Sequence, residues 1–127
     1  MSYEISWPVP GHVLMIKFPG ALLASEVEPV GRSMYNIIEA EANTPIHVLV
    51  DVREVSMQDK LWDYTQSRPP RHPRTGVVII VGDSRLTGLV VAIFSKLLNI
   101  QIQYNTTLDD AMKFLQERDT AVAEHFA

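Results

Sequence analysis

Asp51, Arg53, Asp83 and Ser84 come nearest to a reactive constellation in this 127-residue chain. Asp51 ends the apolar run Ile46–Val50, and Asp83 and Ser84 follow a second such run, Thr75–Val81. Two carboxylates brought together at adjacent strand ends would suit a divalent cation such as Mg²⁺. The plain alternative is structural: Asp51 terminates a strand, and Asp83 or Ser84 accepts the free N–H groups at the start of the next helix. We prefer the plain reading, because position in a fold does not by itself make a site.

The second candidate is the basic connector Arg68-Pro69-Pro70-Arg71-His72-Pro73-Arg74. Arg68, Arg71 and Arg74, with His72, have the chemistry to hold a phosphate or an acidic partner through charge-assisted hydrogen bonds. Against this, three prolines make the segment a stiff solvated loop. Gly82-Asp83-Ser84-Arg85 is neither a P-loop nor a nucleophile elbow. His12, His47, His72 and His125 lack metal-ligand spacing, and His47 reads as a satisfied strand histidine. No metal or cofactor is expected. Without a nucleophile–base pair or a glycine-rich cradle, enzyme activity is not expected either.

The elements that position these groups follow from periodicity. Tyr3–Trp7 and His12–Phe18 read as strands joined by a Pro/Gly turn. Ser25-Glu26-Val27-Glu28 has the form of a capping box, and a helix to about Ala42 would bury Val27, Val30, Met34, Ile37 and Ile38. Ile46–Val52 is the central buried strand, since a continuous β-branched run marks a strand covered on both faces. A short helix over Gln58–Gln66, a strand Thr75–Val81 and a helix Arg85–Leu98 follow. That last helix is apolar on nearly every side, so a second cover, a partner subunit included, is expected over it. Ile100–Tyr104 is the last strand, and Thr107 caps a final helix in which Leu108, Ala111, Met112 and Leu115 face inward. Strands alternating with helices imply right-handed crossovers and a mostly parallel sheet, the first strand antiparallel. Asp51 and Arg53, Asp83 and Ser84, and Tyr104 and Asn105 then share its carboxyl end, where ligands favour α/β folds.

Composition fits one globular α/β domain over residues 1–127, with 46% hydrophobic and 20% charged residues. A net charge of −4 argues against nucleic acid as partner. The chain has no cysteine, which excludes disulfides and agrees with a cytoplasmic location. No signal peptide is read at the N-terminus, and Leu86–Leu98 is too short for about 20 residues of membrane span. The Asn105-Thr106-Thr107 sequon is taken as accidental.

Three stretches together resemble STAS domains (sulfate transporter and anti-sigma factor antagonist), in particular the SpoIIAA-like subgroup. They are Ile46–Val55 (IHVLVDVREV), His72–Leu86 (HPRTGVVIIVGDSRL) and Thr106–Leu115 (TTLDDAMKFL). The resemblance spans about Ser25 to Arg118. It implies a mixed, mostly parallel sheet of about five strands, with about four helices packed mainly on one face. It also implies a role in protein–protein recognition. Regulatory members carry a phosphorylated serine at the start of the helix after the central strand, in a D-S-S-G motif. The corresponding segment here is Val55-Ser56-Met57-Gln58-Asp59, which makes Ser56 the candidate phosphosite without the paired serine or the glycine. Receiver domains that bind Mg²⁺ are a poorer match, since their adjacent N-terminal acids and late lysine are missing. CRAL-TRIO lipid-transfer domains share a similar sheet, which implies an apolar slot beside Leu86–Leu98.

Three functions follow in order. The first is a non-catalytic cytoplasmic regulatory module that binds a protein partner, a second copy of the chain included, through the Gln58–Gln66 and Leu86–Leu98 helices. The second is a carrier of a small apolar, lipid-like ligand. The third is an enzyme using Asp51, Asp83 and Ser84.

Overall fold

The computed structural model describes residues 3–127, apart from the side chains of Leu86 and Leu98. Strands β1 (Glu4–Val9) and β2 (Val13–Lys17) form an antiparallel hairpin turned at Gly11, whose φ of 76° suits a residue without Cβ. Their register slips between Ser6 and Val9, where Pro8 interrupts the ladder. A short strand β3 (Ala21–Leu22) leads into helix α1 (Ala24–Glu39), and β4 (Ile46–Asp51) follows. Next come β5 (Ser56–Met57), α2 (Leu61–Thr65), β6 (Thr75–Val81) and α3 (Arg85–Leu98). The chain closes with β7 (Ile102–Asn105), α4 (Leu108–Arg118) and α5 (Thr120–His125).

Five strands make one mixed sheet in the order β1-β2-β4-β6-β7, parallel except for β1. The apolar run at Ile46 is thus its middle strand. On one face Val48, Val78, Ile80 and Ile102 meet the apolar sides of α1 and α3 in the larger core. On the other, Leu49, Ile79 and Val81 meet Ala111 and Leu115 of α4 and Val122 of α5. The alternation of side chains along β4 and β6 sends neighbouring residues to opposite cores.

Several local features differ from the sequence expectation. Helix α1 begins two residues early: Leu23 holds the N-cap position, and Ser25 lies inside the helix. The free N–H of Ala24 is satisfied by Asp59 Oδ2 at 2.7 Å, from 35 positions away, while Glu26 accepts from the Leu23 N–H at 2.9 Å. The helix closes at Ala40 rather than Ala42. Helix α2 is a five-residue turn, shorter than Gln58–Gln66. Tyr64 anchors it: fully buried, its hydroxyl donates to the Leu22 carbonyl. Strands β3 and β5 form a separate parallel pair that periodicity cannot reveal in strands of two residues.

Helix α3 is also less bare than expected. Val90 and Ile93 are buried, and Leu89, Val91, Phe94 and Leu97 are partly buried against the core. Its outward stripe is Arg85, Gly88, Ala92 and Lys96, at helical spacing. Small and charged residues therefore meet solvent, and the described side chains leave no large apolar face for a partner to cover. Leu86 and Leu98, part of that expectation, lie outside the described side chains. Asn99 ends the helix in the left-handed conformation, φ 52°. The tail is a separate short helix, because Asp119 leaves helical geometry and caps α5 through Ala121 N–H at 2.9 Å.

Candidate functional site

The carboxyl end of the sheet gathers Asp51, Arg53, Asp83, Ser84, Tyr104 and Asn105, as strand polarity requires. Asp51 is only 1% exposed, and both of its oxygens are engaged by its near neighbour. Oδ1 accepts from Arg53 Nε at 3.0 Å and from the Arg53 backbone N–H at 3.1 Å; Oδ2 accepts from the guanidinium at 2.8 Å. Burial pushes this carboxyl up, but the bonds and charge of Arg53 outweigh it and hold the pKa below the ordinary value. The Arg53 pKa is raised by its bonds to Asp51, against the opposing effect of burial, with the charges of Glu54 and Asp83 adding to the rise. The cation facing these acids is therefore the protein's own guanidinium. Among the described residues, no group of three or more His, Asp or Glu is placed to hold a metal ion.

Ser84 holds the N-cap of α3, as expected, in a capping box with Thr87, whose Oγ1 accepts from the Ser84 N–H at 3.4 Å. Ser84 and Asp83 are exposed, and among the described residues the Ser84 hydroxyl meets only Thr87 Oγ1, at 3.4 Å. Asn105 Oδ1 is a buried acceptor without a hydrogen-bond partner among the described residues.

The basic connector divides its residues among different tasks. Arg68 donates to the carbonyls of Thr65 (2.9 Å) and Ser67 (2.7 Å), closing α2. Arg74 donates to the carbonyls of Ile38 (3.1 Å), Glu39 (3.2 Å) and Glu41, closing α1. Cations at helix carboxyl ends satisfy carbonyls that the helix leaves open. His72 is 5% exposed, contacts the Glu39 carboxylate through Nε2 and accepts Arg74 N–H at Nδ1, 3.1 Å. These bonds hold the Glu39 carboxyl below its usual range, the hydrogen bond from His72 first. The arginines do not converge on one anion. Arg71 alone stays exposed with no hydrogen-bond partner among the described residues.

Ser56 lies on β5, paired with Ala21, and its N–H donates to the Gly20 carbonyl at 3.2 Å. It stands well before α2, whose N-cap is Lys60, so it has no helix N-terminus beneath it. The phosphosite geometry of regulatory STAS domains is not reproduced at this position.

A different feature occupies the larger core. An apolar cavity of about 140 Å³ lies between α1, α3, the connector and the sheet. Val48, Val78 and Ile80 form its floor, Val30 and Met34 one wall, and Val90 and Phe94 the other. The connector crosses at Pro69 and Pro70, and a Cβ on Gly31 would stand 2.6 Å from Pro69 Cβ, so α1 admits this crossing only at a glycine. Sequence reasoning placed an apolar slot beside α3 only through resemblance. It found the lining residues as core, since volume left between side chains has no periodic signal.

Comparison with known proteins agrees with this architecture. No protein-family model matches the chain, and no curated protein matches it. Among solved structures, it is similar to an uncharacterized protein of the DUF3478 family with a SpoIIAA-like fold from Shewanella loihica PV-4. The two share 18% identity over 90% of this chain and 92% of that one, with a TM-score of 0.57. The fold is thus a SpoIIAA-like, STAS-type α/β sheet. No helix among the described residues is long and apolar enough to cross a membrane.

Proposed function

We propose that this chain is a non-catalytic cytoplasmic binding module that holds a small apolar ligand between α1, α3 and the sheet. The cavity carries this reading. A dry, apolar space of similar size accepts a benzene-sized molecule, which restores the missing dispersion contacts. The polar groups around it argue for binding over chemistry, since His72 has both ring nitrogens engaged.

The test is a titration with benzene or xenon, followed through the methyl resonances of Val48 and Val78. Saturable shifts at those methyls and a raised melting temperature are expected. Val78→Ile, which fills the space, should raise stability and abolish the shifts. Unmoved methyls together with a destabilising Val78→Ile would sink the reading.

Recognition of a protein partner is the second reading, and one observation favours it. Trp62 is 70% exposed beside Leu61 at 48%, above a shallow groove between α2 and α3. An exposed tryptophan is a typical interface anchor. For a second copy of this chain, native mass spectrometry should show a dimer that Trp62→Asp removes. A monomer at all concentrations overturns the homodimer.

A further inference from the structure

We infer that the cavity ligand is an apolar carboxylate, its tail between α1 and α3 and its head on Arg71; this rests on the apolar-ligand reading above. Among the described residues, Tyr35, Arg71, His72 and Thr75 are the polar members of an otherwise apolar lining, and they cluster at one end. Thr75 begins β6 and pairs with Ile46, the first residue of β4, so this end lies at the amino ends of the parallel strands. It is opposite to the carboxyl ends, where Asp51 and Asp83 sit. The ligand's polar group must therefore meet the connector.

The four groups are not equally available. Tyr35 and His72 stack with ring centres 4.7 Å apart, and His72 is held by Glu39 and by Arg74 N–H. Glu39 is taken up by His72, with Arg74 at 3.9 Å. Arg74 is spent on the carbonyls of α1. What remains at this end is Arg71, a cation without a hydrogen-bond partner among the described residues, and no acid stands among the described lining residues. An apolar chamber with one open guanidinium selects an anion with a compact apolar tail. The planar fork of arginine matches a carboxylate in two parallel hydrogen bonds. The volume limits the tail to about the size of a benzene ring.

Three probes of one shape separate the possibilities: phenylacetate, phenethyl alcohol and phenethylamine, titrated at neutral pH against the Val48 and Val78 methyls. Phenylacetate is expected to bind roughly tenfold more tightly than the alcohol, and the amine most weakly. Arg71→Gln, an exposed substitution that leaves the core untouched, should bring phenylacetate down to the level of the alcohol without changing the alcohol. If the alcohol matches phenylacetate in the unaltered protein, or Arg71→Gln keeps the preference for the acid, this inference is overturned while the apolar cavity stands as a site. If none of the probes moves these methyls, both fall.

Discussion

The imidazole of His47 meets the carboxylate of Asp119 at 2.8 Å, joining the middle strand to the α4–α5 corner across 72 positions of chain. His47 Nδ1 accepts Val77 N–H at 3.0 Å, which assigns the ring proton to Nε2 and makes the imidazole the donor to Asp119. Asp119→Ala leaves that buried donor unsatisfied and removes the cap of α5. A loss of about 2–3 kcal/mol in chemical denaturation is expected. Asp119→Asn, which still accepts and still caps, should lose less.

The same carboxylate sets a pH dependence. Burial pushes Asp119 up, but bonds from His47 and Ala121 N–H prevail and lower its pKa. A depressed carboxyl stabilises the fold above its unfolded value, and that contribution is lost as pH falls toward the folded one. Denaturation midpoints measured from neutral pH into the acid range should therefore decline less steeply in Asp119→Asn than in the unaltered chain.

Asp51 and Arg53 make a second acid-sensitive pair. Arg53→Ala leaves Asp51 buried with only a backbone donor, so its carboxyl should titrate higher by carbon NMR. The expected loss is about 1–2 kcal/mol at neutral pH, below that of a fully buried pair because Arg53 is 40% exposed. Since Asp51 is depressed in the folded state, the difference between variant and parent should shrink as the solution is acidified. An unchanged Asp51 titration would remove the argument.

Gly31 tests the crossing of α1 and the connector. Glycine to alanine inside a helix ordinarily gains up to about 1 kcal/mol. Here the new Cβ would lie 2.6 Å from Pro69 Cβ and 3.3 Å from its backbone Cα. Moving the strap should cost about 1–3 kcal/mol, so Gly31→Ala is expected to lower the melting temperature.

Two aromatic residues of α2 should behave in opposite ways. Tyr64→Phe deletes the hydroxyl that satisfies the Leu22 carbonyl and should cost about 1–2 kcal/mol. Trp62→Ser touches a side chain 70% exposed and should stay within about 0.5 kcal/mol. Equal effects in thermal unfolding would contradict the assigned burial.

The sheet was legible because Ile46–Val50 and Thr75–Val81 are largely apolar, β-branched runs, of the kind strands covered on both sides sustain. Thr107 was legible as a cap because its partner, Asp110 N–H at 3.1 Å, is local. Asp59 was not, because the helix it caps lies 35 positions away. The connector read as a patch of cations because sequence shows charge but not direction; Arg68 and Arg74 fold back onto helix carbonyls. Helix α3 read as apolar on nearly every side from Leu89, Val90, Val91, Ile93, Phe94 and Leu97, with Leu86 and Leu98; the exposed positions Arg85, Gly88, Ala92 and Lys96 form a stripe between them. The sequence pointed to the carboxyl end of the sheet, where Asp51 and Arg53 neutralise each other. The apolar cavity lies instead behind side chains that read as ordinary core.

The slip between Ser6 and Val9 has a consequence for the edges of the sheet. It sits with Pro8 on the outer strand β1, and the opposite border, β7, is only four residues long. A bulged, proline-bearing border and a short one are poor templates for adding a strand from another molecule. Both borders therefore disfavour growth of the sheet by an added strand, and concentrated solutions of the folded chain are expected to stay free of cross-β aggregate.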